Sequence, residues 1–237
     1  LGLNVAVVSG PELQARRVTQ VADLATFTPN VDIKENMPGI LPVVTIRGVG
    51  LNDFSATNNP SAGVYVDEVY LSSLALMNFD LFDLERMEGL KGPQGTLYGR
   101  NSTAGAINIL TARPTFGDLS GRLSGSYGNY KAADLDGAVN IPVGDTFALR
   151  LSGKAVKQDE GFYYNRALGR DIGRRDLQVG RIQARWAPTE ALDVLAKYEV
   201  QKSRSEVGAP EFFGLLKPAG AAANLVCPGS AGCTDFL

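Results

Sequence analysis

The sequence has no histidine and only two cysteines in 237 residues. Without an imidazole there is no His-based acid–base catalysis, and a zinc site would have to rest on cysteine and carboxylate. Long apolar runs are also missing: none exceeds the four residues of Val5–Val8. That excludes a transmembrane helix and the apolar core of a signal peptide, but not a transmembrane β-barrel, whose strands alternate and escape hydropathy. Charge of one sign is lacking as well. With 23 basic and 25 acidic side chains the net charge is −2, which supplies no general attraction to nucleic acid. Glycine is what abounds, at 27 residues. The length suits one or two domains with ample core. The chain opens on Leu1 rather than Met and stops at Cys233–Leu237 in what reads as a loop. It is expected to be a mature or truncated product with sequence missing at both ends.

Residues 1 to about 115 mix short apolar runs with helix signals. Val5–Val8 reads as a buried strand. Ser9 is expected to cap a helix over Pro11–Ala15, with Glu12 completing a capping box. Thr19 is expected to cap a second helix through Val21, Leu24, Ala25 and Phe27, ended by Pro29. Short strands are predicted at Val31–Lys34, Val43–Arg47, Val64–Val69, Leu84–Leu90 and Ala106–Leu110. Gly48–Gly63 and Gly89–Gly105 read as loops, and the whole as a small α+β domain.

From about Leu119 the grammar becomes strict alternation. Leu119, Gly121, Leu123, Gly125 and Tyr127 share one face, against Ser120, Arg122, Ser124 and Ser126. The pattern repeats through Leu135–Ile141, Phe147–Ala155, Gly180–Trp186 and Leu192–Val200, making five segments. Tight turns fit Pro142–Asp145 and Ala187–Glu190, whereas Gln158–Asp176 and everything after Ser203 are long. Short turns at one end and long loops at the other are the rule for outer-membrane barrels. A soluble β-sandwich also alternates and stays open as an alternative. Tyr127 and Trp186, near strand ends, suit an interfacial girdle. Five strands cannot close a large plugged barrel, which has about 22 strands and needs on the order of 500 residues.

One stretch carries a family resemblance. Asp83-Leu-Glu-Arg-Met-Glu-Gly-Leu-Lys-Gly-Pro-Gln-Gly-Thr-Leu-Tyr-Gly-Arg-Asn-Ser-Thr-Ala-Gly-Ala-Ile-Asn108 resembles the plug-domain signature of TonB-dependent outer-membrane receptors. Thr45-Ile-Arg-Gly48 and Val64-Tyr-Val-Asp67 resemble two further elements of that family, in its order. The resemblance implies a plug over residues 1–115, followed over 116–237 by about the first five strands of a 22-stranded antiparallel transmembrane barrel. The signature positions are Arg47, Gly48, Asp67, Glu85, Arg86, Gly92, Pro93, Gln94, Tyr98, Gly99, Gly105 and Asn108. In the family the residues matching Arg47, Glu85 and Arg86 tie plug strands to each other and to the barrel wall; Glu88 and Arg100 suit the same ion-pair role. Three positions depart from the pattern: Glu68 and Ala104 each replace a usual Gly, and Gly89 replaces a β-branched residue, which should loosen its strand. No TonB box is visible before Leu1.

The implied function is energy-coupled import of a scarce nutrient, foremost a ferric siderophore, at the bacterial outer membrane. The partners implied are the TonB protein, the nutrient ligand and outer-membrane lipid, with no nucleic acid. The rivals are uptake of an oligosaccharide, vitamin or aromatic compound, or a truncated soluble plug-like binding module or remnant. Ligand contact is expected at Asn52, Asp53, Phe54, Asn58 and Asn59, and at Met77, Asn78 and Phe79, where aromatics sit beside amides. The alternative for these residues is packing against barrel loops. No nucleophile–base–orienter set is apparent, so no enzyme is expected. No cofactor or metal is expected either. Gly92–Arg100 lacks the Gly-Lys-Ser/Thr ending of a phosphate loop, and Pro93 removes an amide. Asp80, Asp83, Glu85 and Glu88 point to different faces of a strand and make a poor metal cluster. Cys227 and Cys233 are an even count in a small glycine-rich loop and are expected to form a disulfide worth roughly 2–3 kcal/mol at most. Two free thiols are the alternative.

Overall fold

The computed structural model describes residues 4–26, 28–35, 42–50, 60–72, 79–99, 102–165 and 169–206. The first half builds one mixed sheet. Its strands are β1 (Asn4–Ser9), β4 (Ala62–Val66), β5 (Val69–Tyr70), β6 (Leu84–Lys91) and β7 (Gly105–Thr111), in the order β1-β6-β7-β4-β5. All neighbours are antiparallel except β4 and β7. Helix α1 (Gly10–Ala15), a 3-10 turn at Val21–Thr26 and the hairpin of β2 (Val31–Glu35) and β3 (Pro42–Ile46) supply the other side of the core. Alternation decides which residues enter it: Val64, Met87, Ile107 and Ile109 meet Leu13, Val21, Leu24 and Ile46.

Local details differ from the sequence reading. Ser9 is the N-cap of α1, but its side chain makes no capping bond, and Glu12 pairs with Arg16 at 2.7 Å instead of closing a capping box. The second helix is a 3-10 turn. Its free donors are satisfied by Asp23, whose carboxylate accepts from the Thr19 and Gln20 amides at 2.8 and 2.9 Å. Asp23 therefore does the capping expected of Thr19, whose hydroxyl is itself a donor to Asp23. Phe27 lies outside the described residues. The strand expected over Val64–Val69 is a hairpin: β4 turns at Asp67 and Glu68, both at positive φ (48° and 69°), into β5. Gly89 has a packing reason, because a Cβ there would sit 3.3 Å from the Cγ2 of buried Thr28.

The second half is an antiparallel sheet of β8 (Ser120–Gly128), β9 (Ala132–Val143), β10 (Phe147–Gln158), β13 (Arg175–Thr189) and β14 (Leu192–Ser203), ordered β14-β13-β10-β9-β8. These are the five alternating segments. Their faces are inverted relative to a soluble sheet. Leu123 and Tyr198 are 77% and 67% exposed, whereas Asn140 and Gln183 are 0% and 1%. An apolar outside and a polar inside is the pattern of a membrane barrel wall, which decides against the soluble sandwich. Among the described residues no helix is long and apolar enough to cross a membrane.

The tight turns fall at one end of the wall, with Gly144 at φ 73° between β9 and β10. At the other end, residues 159–174 carry a small hairpin, β11 (Tyr163–Asn165) and β12 (Arg170–Ile172), too short to announce itself by periodicity. It is clasped to the β8–β9 link by Lys131–Glu160 at 3.0 Å and by the rings of Tyr130 and Phe162 at 4.7 Å.

Candidate functional site: the seam between sheet and strand wall

The inward face of the wall meets the N-terminal sheet along a polar seam, and the segment just before β6 makes its deepest contacts. Asp83 has a left-handed backbone (φ 50°) and a carboxylate only 1% exposed. Arg150 of β10 grips that carboxylate through two hydrogen bonds, 2.8 Å from Nε and 2.6 Å from Nη2. Arg122 of β8 approaches it at 3.6 Å and also bonds Asp136 at 2.8 Å. Three residues earlier, Asp80 accepts from Arg175 at 2.8 and 3.0 Å and from Lys154 at 3.2 Å. Lys154 in turn lies 3.6 Å from Asp134. Four carboxylates thus meet four cations, so the buried charges of Asp80, Asp83 and Lys154, prohibitive if unpaired, belong to a half-buried cluster that is neutral overall.

Further contacts extend the seam. At the β4–β5 turn, Asp67 accepts from the Thr111 amide and hydroxyl, both at 2.8 Å, and from Lys197 of β14 at 2.6 Å. Burial pushes the Asp67 carboxyl up, but the hydrogen bonds from Lys197 and Thr111 outweigh it and hold the group below the ordinary carboxylate range. The Arg181 guanidinium lies 4.2 Å over the Phe82 ring while bonding Glu199 at 2.7 Å. Where the chain passes from sheet to wall, fully buried Asn140 holds Thr115 from both sides, accepting from its amide at 2.9 Å and donating to its carbonyl at 3.0 Å.

The residues singled out in the sequence fall into three groups. Glu85, Arg86, Glu88 and Asn108 lie together: Arg86 bonds Glu88 at 2.7 Å and also Glu85, and Asn108 donates to Glu88 at 3.3 Å, which links β7 to β6. The signature loop forms a second group. Gln94 and Ser102 are joined through their backbones at 2.9 Å across the helix α2 (Gly95–Tyr98), and the Tyr65 hydroxyl donates to the Tyr98 carbonyl at 2.6 Å. Burial raises the hydroxyl pKa of both tyrosines. Gly105 starts β7 at φ 154°, where a Cβ would collide with the Leu90 carbonyl. Gly92 and Gly99 have positive φ, and Pro93 is exposed beside them.

The third group is set apart. Arg47 and Gly48 form an exposed turn after β3, where the Arg47 amide donates to the Asn30 carbonyl at 2.8 Å. Phe79 packs on the sheet's core and lines a cavity of about 230 Å³ with Phe82, Ile109, Arg181 and Glu199. Asn52, Asp53, Phe54, Asn58, Asn59, Met77, Asn78, Arg100, Cys227 and Cys233 lie outside the described residues.

The sequence reading missed the roles of Asp80 and Asp83, which it weighed only as metal ligands. Among the described residues no cluster of His, Cys, Asp or Glu could hold a metal ion. The available signal was the inward stripe of the wall, where Arg122, Arg150 and Lys154 need buried counter-charges.

Comparison with known proteins places these features. Residues 2–106 match the family described as TonB-dependent Receptor Plug Domain. The chain is 31% identical over 195 residues to the pesticin receptor of Yersinia pestis, covering 79% of this chain and 28% of that receptor. It is 35% identical over 94 residues to the catecholate siderophore receptor Fiu of Escherichia coli, covering 39% of this chain and 12% of that one. The structure of the ferric yersiniabactin uptake receptor FyuA from Yersinia pestis superposes with a TM-score of 0.71 at 29% identity, over 84% of this chain and 32% of that one. The ferripyoverdine receptor of Pseudomonas aeruginosa shares the fold, with a TM-score of 0.69 at 15% identity. The chain therefore spans roughly a third or less of the relatives it matches.

Proposed function

This chain belongs to the TonB-dependent receptor family, and on that premise we propose that it is the plug and first wall strands of a bacterial outer-membrane receptor importing a ferric siderophore. One observation carries the reading. A sheet that blocks the inside of a wall is held there by paired side chains, chiefly Asp83 with Arg150, rather than by a continuous apolar core. Such contacts resist leakage at rest yet can be exchanged for water when the plug is pulled. In this reading the ligand is captured on the long-loop side and the TonB protein supplies the pull from the other. Phe79 and the neighbouring loop residues Asn52, Asp53, Phe54, Asn58, Asn59, Met77 and Asn78 are the proposed ligand contacts. Arg47, Glu85 and Arg86 are proposed to keep the plug in register, and the Cys227–Cys233 disulfide to close an outward loop. The names of the relatives support siderophores over other nutrients.

The test is radioactive iron uptake by iron-starved cells carrying or lacking the full-length gene, supplied with a panel of ferric siderophores. Uptake that requires both the gene and TonB is expected. Equal uptake in its absence across the panel, with growth on another nutrient lost instead, would move the assignment to that nutrient.

A further inference from the structure

The seam's cations include two whose only carboxylate partners, among the described residues, come from the plug: Arg150 pairs with Asp83, and Arg175 with Asp80. Lys154 stands between them on the same inward face and touches Asp80 as well. Arg150 and Lys154 are four residues apart on β10, and Arg175 faces Gln158 at the end of that strand. At about 3.4 Å per residue the backbone positions 150, 154 and 158 are spaced by about 14 Å. The Lys154 and Arg175 side chains nevertheless converge on one Asp80 oxygen, at 3.2 and 3.0 Å. The cations therefore make two rungs: Arg150, and above it toward the long-loop side Lys154 with Arg175. Remove residues 79–84 and the wall keeps Asp134 and Asp136 against Arg122, Arg150, Lys154 and Arg175, an excess of two positive charges. The free guanidinium forks then present the geometry that suits bidentate carboxylate recognition.

We infer that Arg150, Lys154 and Arg175 form a ladder of carboxylate-binding positions, filled at rest by Asp80 and Asp83 and offered to a carboxylate-bearing ligand when that plug segment leaves the wall. The plug's aspartates act as built-in stand-ins for the ligand, so the passage is closed and its charges are satisfied by the same two side chains. This rests on the import reading for its purpose, but the site itself is a property of the seam. A cavity reaches Lys154 and the Asp83 residue that fills the Arg150 position. It measures about 170 Å³, lies between α1 and the wall, and is also lined by Arg122, Asp134 and Asp136. Asp134 and Asp136 are themselves paired, with Lys154 at 3.6 Å and Arg122 at 2.8 Å. Arg150 is therefore the rung that a missing Asp83 leaves unfilled.

The test is carboxylate rescue in the full-length receptor purified from membranes. Asp83→Ala removes the stand-in and leaves the Arg150 fork unpaired. Sodium acetate is expected to raise the melting temperature of Asp83→Ala by a few degrees in a saturable way, beyond the effect of sodium chloride at equal ionic strength. Wild type should show no such excess, and Asp83→Ala combined with Arg150→Gln should lose it. Should Asp83→Ala fail to fold, Asp80→Ala carries the same test, with Arg175→Gln and Lys154→Gln together as its partners, because both cations bond Asp80 and Arg175 is nearer solvent. An acetate response equal in wild type and variant, or one that survives loss of the partner cations, overturns the ladder. Iron uptake plays no part in this measurement, so failure of the import reading and failure of the ladder are told apart.

Discussion

Asp83 and Arg150 stand 67 positions apart in the chain, yet two hydrogen bonds of 2.8 and 2.6 Å join them at the point where plug and wall meet. The aspartate is almost wholly buried and sits in a left-handed backbone conformation at the entry to β6. Removing one partner of such a pair leaves a charge with no water to solvate it. Asp83→Asn is expected to destabilise the protein by about 3–5 kcal/mol, measured by thermal or urea unfolding. The double variant Asp83→Leu with Arg150→Met should recover most of that loss. A double variant no better than the single one would show that the pair is not the principal contact.

At the β4–β5 turn, both central residues have positive φ, and the second is Glu68 rather than a glycine. A side chain in that conformation is strained, whereas glycine adopts it freely. Glu68→Gly should stabilise the hairpin by about 0.5–1 kcal/mol after the larger entropy of unfolded glycine is counted. Slower hydrogen exchange at the Tyr70 and Leu71 amides would report it; faster exchange would contradict it.

Gly89 stands where the family favours a β-branched residue, and a Cβ there would press on the Thr28 methyl at 3.3 Å, so Thr28 would have to give by a few tenths of an ångström. Gly89→Val is expected to cost about 1–3 kcal/mol through overpacking, despite its better strand propensity. Thr28→Ala in the same chain should return part of that loss. An unaltered melting temperature for Gly89→Val alone would show that the sheet shifts freely there.

The Asp67 carboxyl is held below its ordinary range by Lys197 and Thr111, so its ionised form is favoured in the folded protein. The stabilisation it brings is complete above the pKa of an unfolded aspartate, about 3.9, and is lost as the pH falls from there through the lower folded value. Acid should therefore loosen the contact with β14 only below about pH 4. The stability difference between wild type and Asp67→Asn, followed from pH 7 to pH 3, is expected to shrink over that window. A difference that is flat with pH would mean that Lys197 does not act on this group.

Much of this protein was legible in its residues, because local periodicity is a local property. The five wall strands follow from alternation, and the sheet strands, the signature loop and the two-part grammar follow from short apolar runs and glycine placement. Legibility ended where side chains compete locally: Asp23 rather than Thr19 satisfies the free amides, and Asp67-Glu68 breaks one expected strand into a hairpin. Alternation alone left the sign of the wall open, since a sandwich and a barrel share it. Only the tertiary arrangement, with Gln183 buried and Leu123 exposed, decided that the polar face is the inner one. The pairing across the seam was likewise invisible. Asp80 finds Arg175 across 95 positions, and nothing near either residue distinguishes Asp80 and Asp83 from Glu85 and Glu88. Which carboxylates meet the wall depends on how the sheet is rotated within it, a relation fixed by packing and charge neutrality over the whole seam rather than by any local stretch of chain.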